Sequence, residues 1–137
     1  MAHRTTSPQR LQLHPEMFGM AYPGSREPEP DWIPDETFVI VMKTKDQYSI
    51  LCPERFIPQA VTHATGLRVL ILHPDGVMIT EVFQNIEDDL KLRKIRYEGG
   101  CHFKSDLGYM LFRDSDLPAV RAVLAEAGHT VVKSPTS

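Results

Sequence analysis

The chain has 137 residues, 42% of them apolar and 24% charged, with a formal charge of −3 at pH 7; that supports one folded core or two small fused ones. The sign and size of the charge argue against a phosphate-backbone binder built on clustered Lys and Arg, and no apolar run approaches the ~20 residues that span a bilayer. Two cysteines without a CxxC partner, Cys52 and Cys101, read as reduced, buried thiols; with no apolar leader after Met1, the expected location is the cytoplasm.

Residues 1–10 are polar at their start and are expected to form a disordered tail. Leu11-Gln12-Leu13-His14 and Met17 to Tyr22 have strand character. Pro23 to Pro34 holds four prolines in twelve residues, which excludes a regular helix or a central strand and predicts an extended connector pinned by Trp32. Thr37 to Lys43 is rich in β-branched and aromatic residues, Thr44-Lys45-Asp46-Gln47 supplies turn chemistry, and Tyr48 to Cys52 returns, stopped by Pro53. These make a hairpin. Arg55 to Thr65 reads as a loop around Ile57-Pro58, with at most one helical turn at Ala60 to Ala64.

From Gly66 the pattern becomes regular. Leu67 to Leu72 is an apolar run of strand length. His73-Pro74-Asp75-Gly76 breaks it, and Ile79, Val82, Phe83, Ile86 and Leu90 then recur at helical spacing opposite Glu81, Glu87, Asp88 and Asp89. Lys91 to Tyr97 alternates as an exposed strand would, Gly99-Gly100 reads as a turn or bulge, and Leu107 to Arg113 as the next strand. The last helix has Ser115 or Asp116 as a cap, Pro118 in its first turn and Gly128 at its left-handed end. His129 to Lys133 closes the fold as a strand. The order is βαββαβ, a ferredoxin-like α+β plan in which single apolar stripes put both helices on one face of an antiparallel sheet.

His73-Pro74-Asp75-Gly76 lies where a buried strand meets an amphipathic helix. Backbone N–H groups and the helix dipole there suit a carboxylate or phosphate, although Pro-Asp-Gly is also ordinary turn chemistry. Other clusters have plainer readings. His63, His73 and His102, even with Cys101, lack the close spacing of zinc motifs, so neither a metal nor a cofactor is expected. Cys101 with His102 or His129 has no helix N-terminus to activate the thiol. Glu87-Asp88-Asp89 reads as a solvated face, and Asp114 and Asp116 as capping residues. Lys91, Arg93, Lys94 and Arg96 lack the aromatic pattern of an RNA-binding sheet. No catalytic residue is assigned.

Four passages carry a family resemblance: Pro30-Asp31-Trp32-Ile33-Pro34; Thr44-Lys45-Asp46-Gln47-Tyr48-Ser49-Ile50-Leu51-Cys52-Pro53-Glu54; the strand–Gly–helix unit from Leu70 to Leu90; and Asp106 to Phe112, followed by Leu124 to Val131. Together they resemble the ACT-like regulatory proteins, in particular the small two-module branch related to the cytosolic arginine sensors of animals. The resemblance implies an N-terminal ACT-like half over 11–65, with its Pro-rich connector at 23–34, and a C-terminal module over 66–133. It further implies an amino-acid ligand at the interface of the halves, touched by Ser49 and Ile50 on the first and by Asp75, Gly76 and Val77, with Asp106 opposite, on the second.

These readings lead to a non-enzymatic regulatory module that binds an amino acid or similar small molecule, assembles as a homo-oligomer and serves a regulatory protein partner, with no nucleic-acid or membrane contact. The alternative is a protein-interaction adaptor whose pocket has degenerated, favoured by Gln47-Tyr48 and by Gly99 to His102 where the family has other residues. A small enzyme of the same fold would show an anion cradle with an Arg or a His/Asp constellation, and neither is found.

Overall fold

A computed structural model describes residues 8–24, 29–74, 78–102 and 107–133. Along the chain run β1 (Arg10–Leu13), β2 (Phe18–Tyr22), β3 (Ile40–Lys43), β4 (Tyr48–Pro53), β5 (Thr62–Leu72), α1 (Ile79–Leu92), β6 (Glu98–His102), β7 (Leu107–Arg113), α2 (Leu117–Glu126) and β8 (Thr130–Lys133). Short 3₁₀ turns lie at Glu54–Phe56 and Asp114–Asp116. The chain divides into two units, Met1–Pro15 with Arg68–Thr136 and Glu16–Leu67. Strand β5 runs through the division. No helix among the described residues is long and apolar enough to cross a membrane.

In the first unit the strands lie in the order β6-β7-β5-β1-β8. Leu11, Leu13, Leu70, Leu72, Met110 and Phe112 from the strands share one core with Ile79, Val82, Ile86 and Leu90 of α1 and Val120, Val123 and Leu124 of α2, so both helices cover one face. An unmodified βαββαβ unit would set its last strand against its first. Here β1 stands between β5 and β8, antiparallel to one and parallel to the other, and the sheet is mixed. The sequence alone places Leu11 to Leu13 in an N-terminal half over 11–65 and predicts a tail that ends at residue 10. Alternation explains the difference: Leu11 and Leu13 project together into the helical face and are 1% and 0% exposed. Gln9 is buried as well. Its N–H donates to His129 Nδ1 at 3.0 Å, and its carbonyl accepts from the Thr130 N–H at 2.9 Å.

The strand expected at Lys91 to Tyr97 is not there. Helix α1 continues to Leu92 and closes on itself: Lys94 N–H donates to the Lys91 carbonyl and Ile95 N–H to the Leu90 carbonyl, both at 3.0 Å, with Lys94 at φ +58°. This is the Schellman arrangement, carried by a lysine where glycine is usual. Gly99 and Gly100, expected in a turn, sit inside β6 opposite Met110 and Tyr109. A Cβ on Gly99 would lie 2.5 Å from the Tyr109 carbonyl oxygen and 3.0 Å from the Phe83 ring, so the strand can approach its neighbours only with glycine there. Helix α2 has no side-chain cap hydrogen bond, contrary to the capping role expected of Asp114 and Asp116. Asp114 instead accepts from Arg68 Nη1 at 3.3 Å, while Arg68 Nη2 reaches the His14 carbonyl at 3.5 Å.

In the second unit the order is β3-β4-β2, with the first half of β5 beyond β2. The β3–β4 hairpin pairs Ile40 with Leu51 and Lys43 with Tyr48. Its turn is closed by the Thr44 N–H to the Gln47 carbonyl and by the Asp46 N–H to Thr44 Oγ1. Strand β3 begins at Ile40 rather than Thr37, and Thr62 to Thr65 start β5 rather than ending a helical turn. Ala21, Tyr48, Ile50, Cys52 and Ile57 form the core, and Trp32, Ile33, Val39 and Phe56 pack against it. Trp32 is thus the packing anchor of the proline-rich stretch.

Candidate functional site

The residues singled out from sequence have separate fates. Ser49 and Ile50 are neighbours on β4 and buried, yet strand alternation points their side chains to opposite faces. Ile50 is 0% exposed, belongs to the unit's core, and pairs through its backbone region with Ala21 on one side and Val41 on the other. His73 follows β5 in the first unit and is exposed. Asp75, Gly76, Val77 and Asp106 lie outside the described residues.

Among the described residues no group of three or more His, Cys, Asp or Glu could hold a metal ion. His63 Nδ1 lies 2.6 Å from the Val61 carbonyl, a contact that places its proton on Nδ1. Burial pushes the Cys52 thiol up to about 11. Burial and then the charge of Glu87 push Cys101 up as well. Neither thiol is activated. His129 accepts a backbone N–H at Nδ1, and burial lowers its pKa against a smaller opposing pull from Asp89; its role is structural.

A cleft that sequence reading did not single out opens in the second unit. It has a volume of about 220 Å³ and is lined by Pro34, Asp35, Glu36, Thr37, Arg55 and Phe56. Each wall has a clear support. Trp32 and Ile33 pack against the core just before Pro34, and Val39 does so just after Thr37; between them the chain turns at Asp31-Trp32 and bends at Asp35 to Thr37, so the extended connector expected from the prolines is not what the described residues form. Opposite, the 3₁₀ turn is held by the Glu54 N–H to the Met17 carbonyl at 2.9 Å and the Ile57 N–H to the Glu54 carbonyl at 3.1 Å. The Glu54 carboxylate also accepts from the Gly66 N–H at 3.3 Å.

That turn fixes Arg55. Its guanidinium lies 4.0 Å from the Phe56 ring centroid, a stacking geometry that favours arginine, and its Nε is paired with Glu16. Among the described residues nothing engages its two Nη groups. Asp35 and Glu36 are exposed residues that line the same cleft, and Glu36 already makes an interaction. The cleft therefore offers an oriented double N–H donor and carboxylate acceptors around a volume of small-molecule size. The only sequence trace of it is one basic and two acidic residues in the irregular segments that flank the hairpin, and nothing in their spacing says that they meet.

Comparison with known proteins bears mainly on the fold. A family model described as an N-terminal domain matches residues 16–60, nearly the span of the second unit. No curated protein sequence matches the chain. A crystal structure of a protein from Agrobacterium tumefaciens superimposes with a TM-score of 0.81 at 26% identity, covering 95% of this chain and 97% of that one. Aspartate kinase of Clostridium acetobutylicum, described as an allosteric enzyme, gives 0.61 at 9% identity; 91% of this chain is covered, and it spans 36% of the kinase. A C-terminal regulatory domain of aspartate kinase from Porphyromonas gingivalis W83 gives 0.53 at 11% identity over 85% and 94% of the two chains. The chain has an ACT-like α+β fold.

Proposed function

We propose that this chain is a non-enzymatic regulatory module that binds an amino acid or a similar small molecule. The observation that carries the reading is the likeness to a regulatory domain of aspartate kinase over 85% of this chain and 94% of that domain, joined by the likeness to a second kinase described as allosteric. The ligand-facing residues in this reading include Ser49, His73, Asp75, Gly76, Val77 and Asp106, and Ile50 contributes through its place in the core of its unit. The module works in the cytoplasm as a homo-oligomer and passes its signal to a protein partner.

The adaptor reading draws on a different observation. Edge strand β3 leaves Val41 and Met42 40% and 49% exposed, apolar surface on a strand that pairs only with β4 among the described residues. Thermal unfolding against the twenty amino acids separates the two. A ligand at 100 times its Kd adds about 2.7 kcal/mol, which raises Tm by roughly 8–15 °C for a chain of this size. A reproducible shift for one amino acid supports the regulatory module. No shift for any of them removes that reading in its simple form and leaves the adaptor.

A further inference from the structure

Resting on that reading, we propose that the cleft between Pro34–Thr37 and Arg55–Phe56 is an amino-acid site within the second unit. A free α-amino acid would lie with its carboxylate on the Arg55 Nη groups and its ammonium on Asp35. The inference starts from the guanidinium. Arg55 has a side chain 59% exposed, and it is oriented from two directions, by the Phe56 ring at 4.0 Å and by the Nε pairing with Glu16, which reduces the freedom it loses on binding. Both Nη groups remain without a protein partner among the described residues, and a pair of parallel N–H donors matches a carboxylate.

The other wall decides the ligand class. Asp35 and Glu36 face the same space, so a phosphate or a dicarboxylate drawn by Arg55 would meet like charge. A simple cation drawn by the carboxylates would leave both Arg55 Nη groups without an acceptor among the described residues. A zwitterion places each of its charges against the opposite one. At about 220 Å³ the cleft is of small-molecule size, and Pro34 offers an apolar wall for a short side chain. Glu36 and Thr37 each already make an interaction, so Asp35 is the carboxylate assigned to the ammonium.

The test is a titration of the full chain with each of the twenty free L-amino acids, followed by ¹⁵N–¹H amide shifts. The N-acetyl and carboxamide derivatives of any amino acid that binds are then compared, in the wild type and in Arg55→Ala and Asp35→Asn. Both positions are exposed, and retained wild-type amide spectra away from the cleft report that each variant folds. The expected result is shifts centred on residues 34–37 and 55–56, at least tenfold weaker binding for each capped derivative, and at least tenfold loss in each variant. An amino acid that binds with unchanged affinity in both variants overturns this site and leaves the regulatory reading standing. No binding by any free amino acid overturns both.

Discussion

Helices α1 and α2 end by the same hydrogen-bond closure, one on Lys94 and the other on Gly128. In α1 the Ile95 N–H reaches the Leu90 carbonyl at 3.0 Å, and in α2 the His129 N–H reaches the Leu124 carbonyl at 2.9 Å. The residue at the turning point is left-handed in both, at φ +58° and φ +88°. In both, the buried residue after it, Ile95 or His129, is drawn into the fold. The termination is therefore set by what packs after the turn, and glycine lowers the cost of a closure that the chain makes in either case.

The segments beyond these turns differ more than the turns do, and the variants that probe them span a range of sizes. The largest effect is expected from Gly99→Ala in the strand after α1. Its Cβ would enter the space of the Tyr109 carbonyl and the Phe83 ring, and a loss of about 3 kcal/mol is expected in denaturant unfolding. Beyond α2, acid should act through His129. Its folded pKa lies below its unfolded one, so the unfolded chain binds more protons near pH 6. Stability is then full above the unfolded value of about 6.5 and falls as pH drops toward the folded value, with a slope of up to ~1.4 kcal/mol per pH unit. His129→Gln should flatten that part of the pH–stability curve.

The two turning points themselves give smaller, opposite effects. Gly128→Ala should cost about 1 kcal/mol. The new methyl would meet Pro8 at an ordinary 3.6 Å, so the cost is backbone conformation rather than clash. Lys94→Gly should gain about 0.5–1 kcal/mol, the relief of the left-handed lysine less the added freedom of the unfolded chain. Combined in one chain, the two changes should nearly cancel in Tm, because the sites are separate and their effects add. A large residual would mean that the two helix ends are coupled.

The same pair of turns explains what was legible. Gly128 could be read as a helix end because glycine advertises the left-handed conformation. Lys94 carries no such mark, so Lys91 to Tyr97 reads from sequence as an imperfectly alternating strand, and the glycines of β6 read as the turn that Lys94 makes. Strong periodicity survived: Ile79, Val82, Ile86 and Leu90 are buried, and Phe83 packs partly buried against the same core. The place of β1 was beyond reach. Arg10 to Leu13 is four residues long, and nothing local says that its partners are Leu70 to Leu72 and Thr130 to Lys133. The cleft was illegible for a similar reason, since Asp35 and Arg55 line one cleft only because Trp32, Ile33 and Phe56 pack on one core.

The place of β1 also sets an order in time. Its parallel neighbour β8 lies 120 residues downstream, measured from Gln9 to His129, and closing so long a loop is slow relative to local pairing. The hairpin and the strands of Glu16–Leu67 find their partners within their own span. As the chain emerges in sequence order, that unit can assemble while β1 waits with one edge unpaired, and the first unit is completed only when β8 arrives beside it.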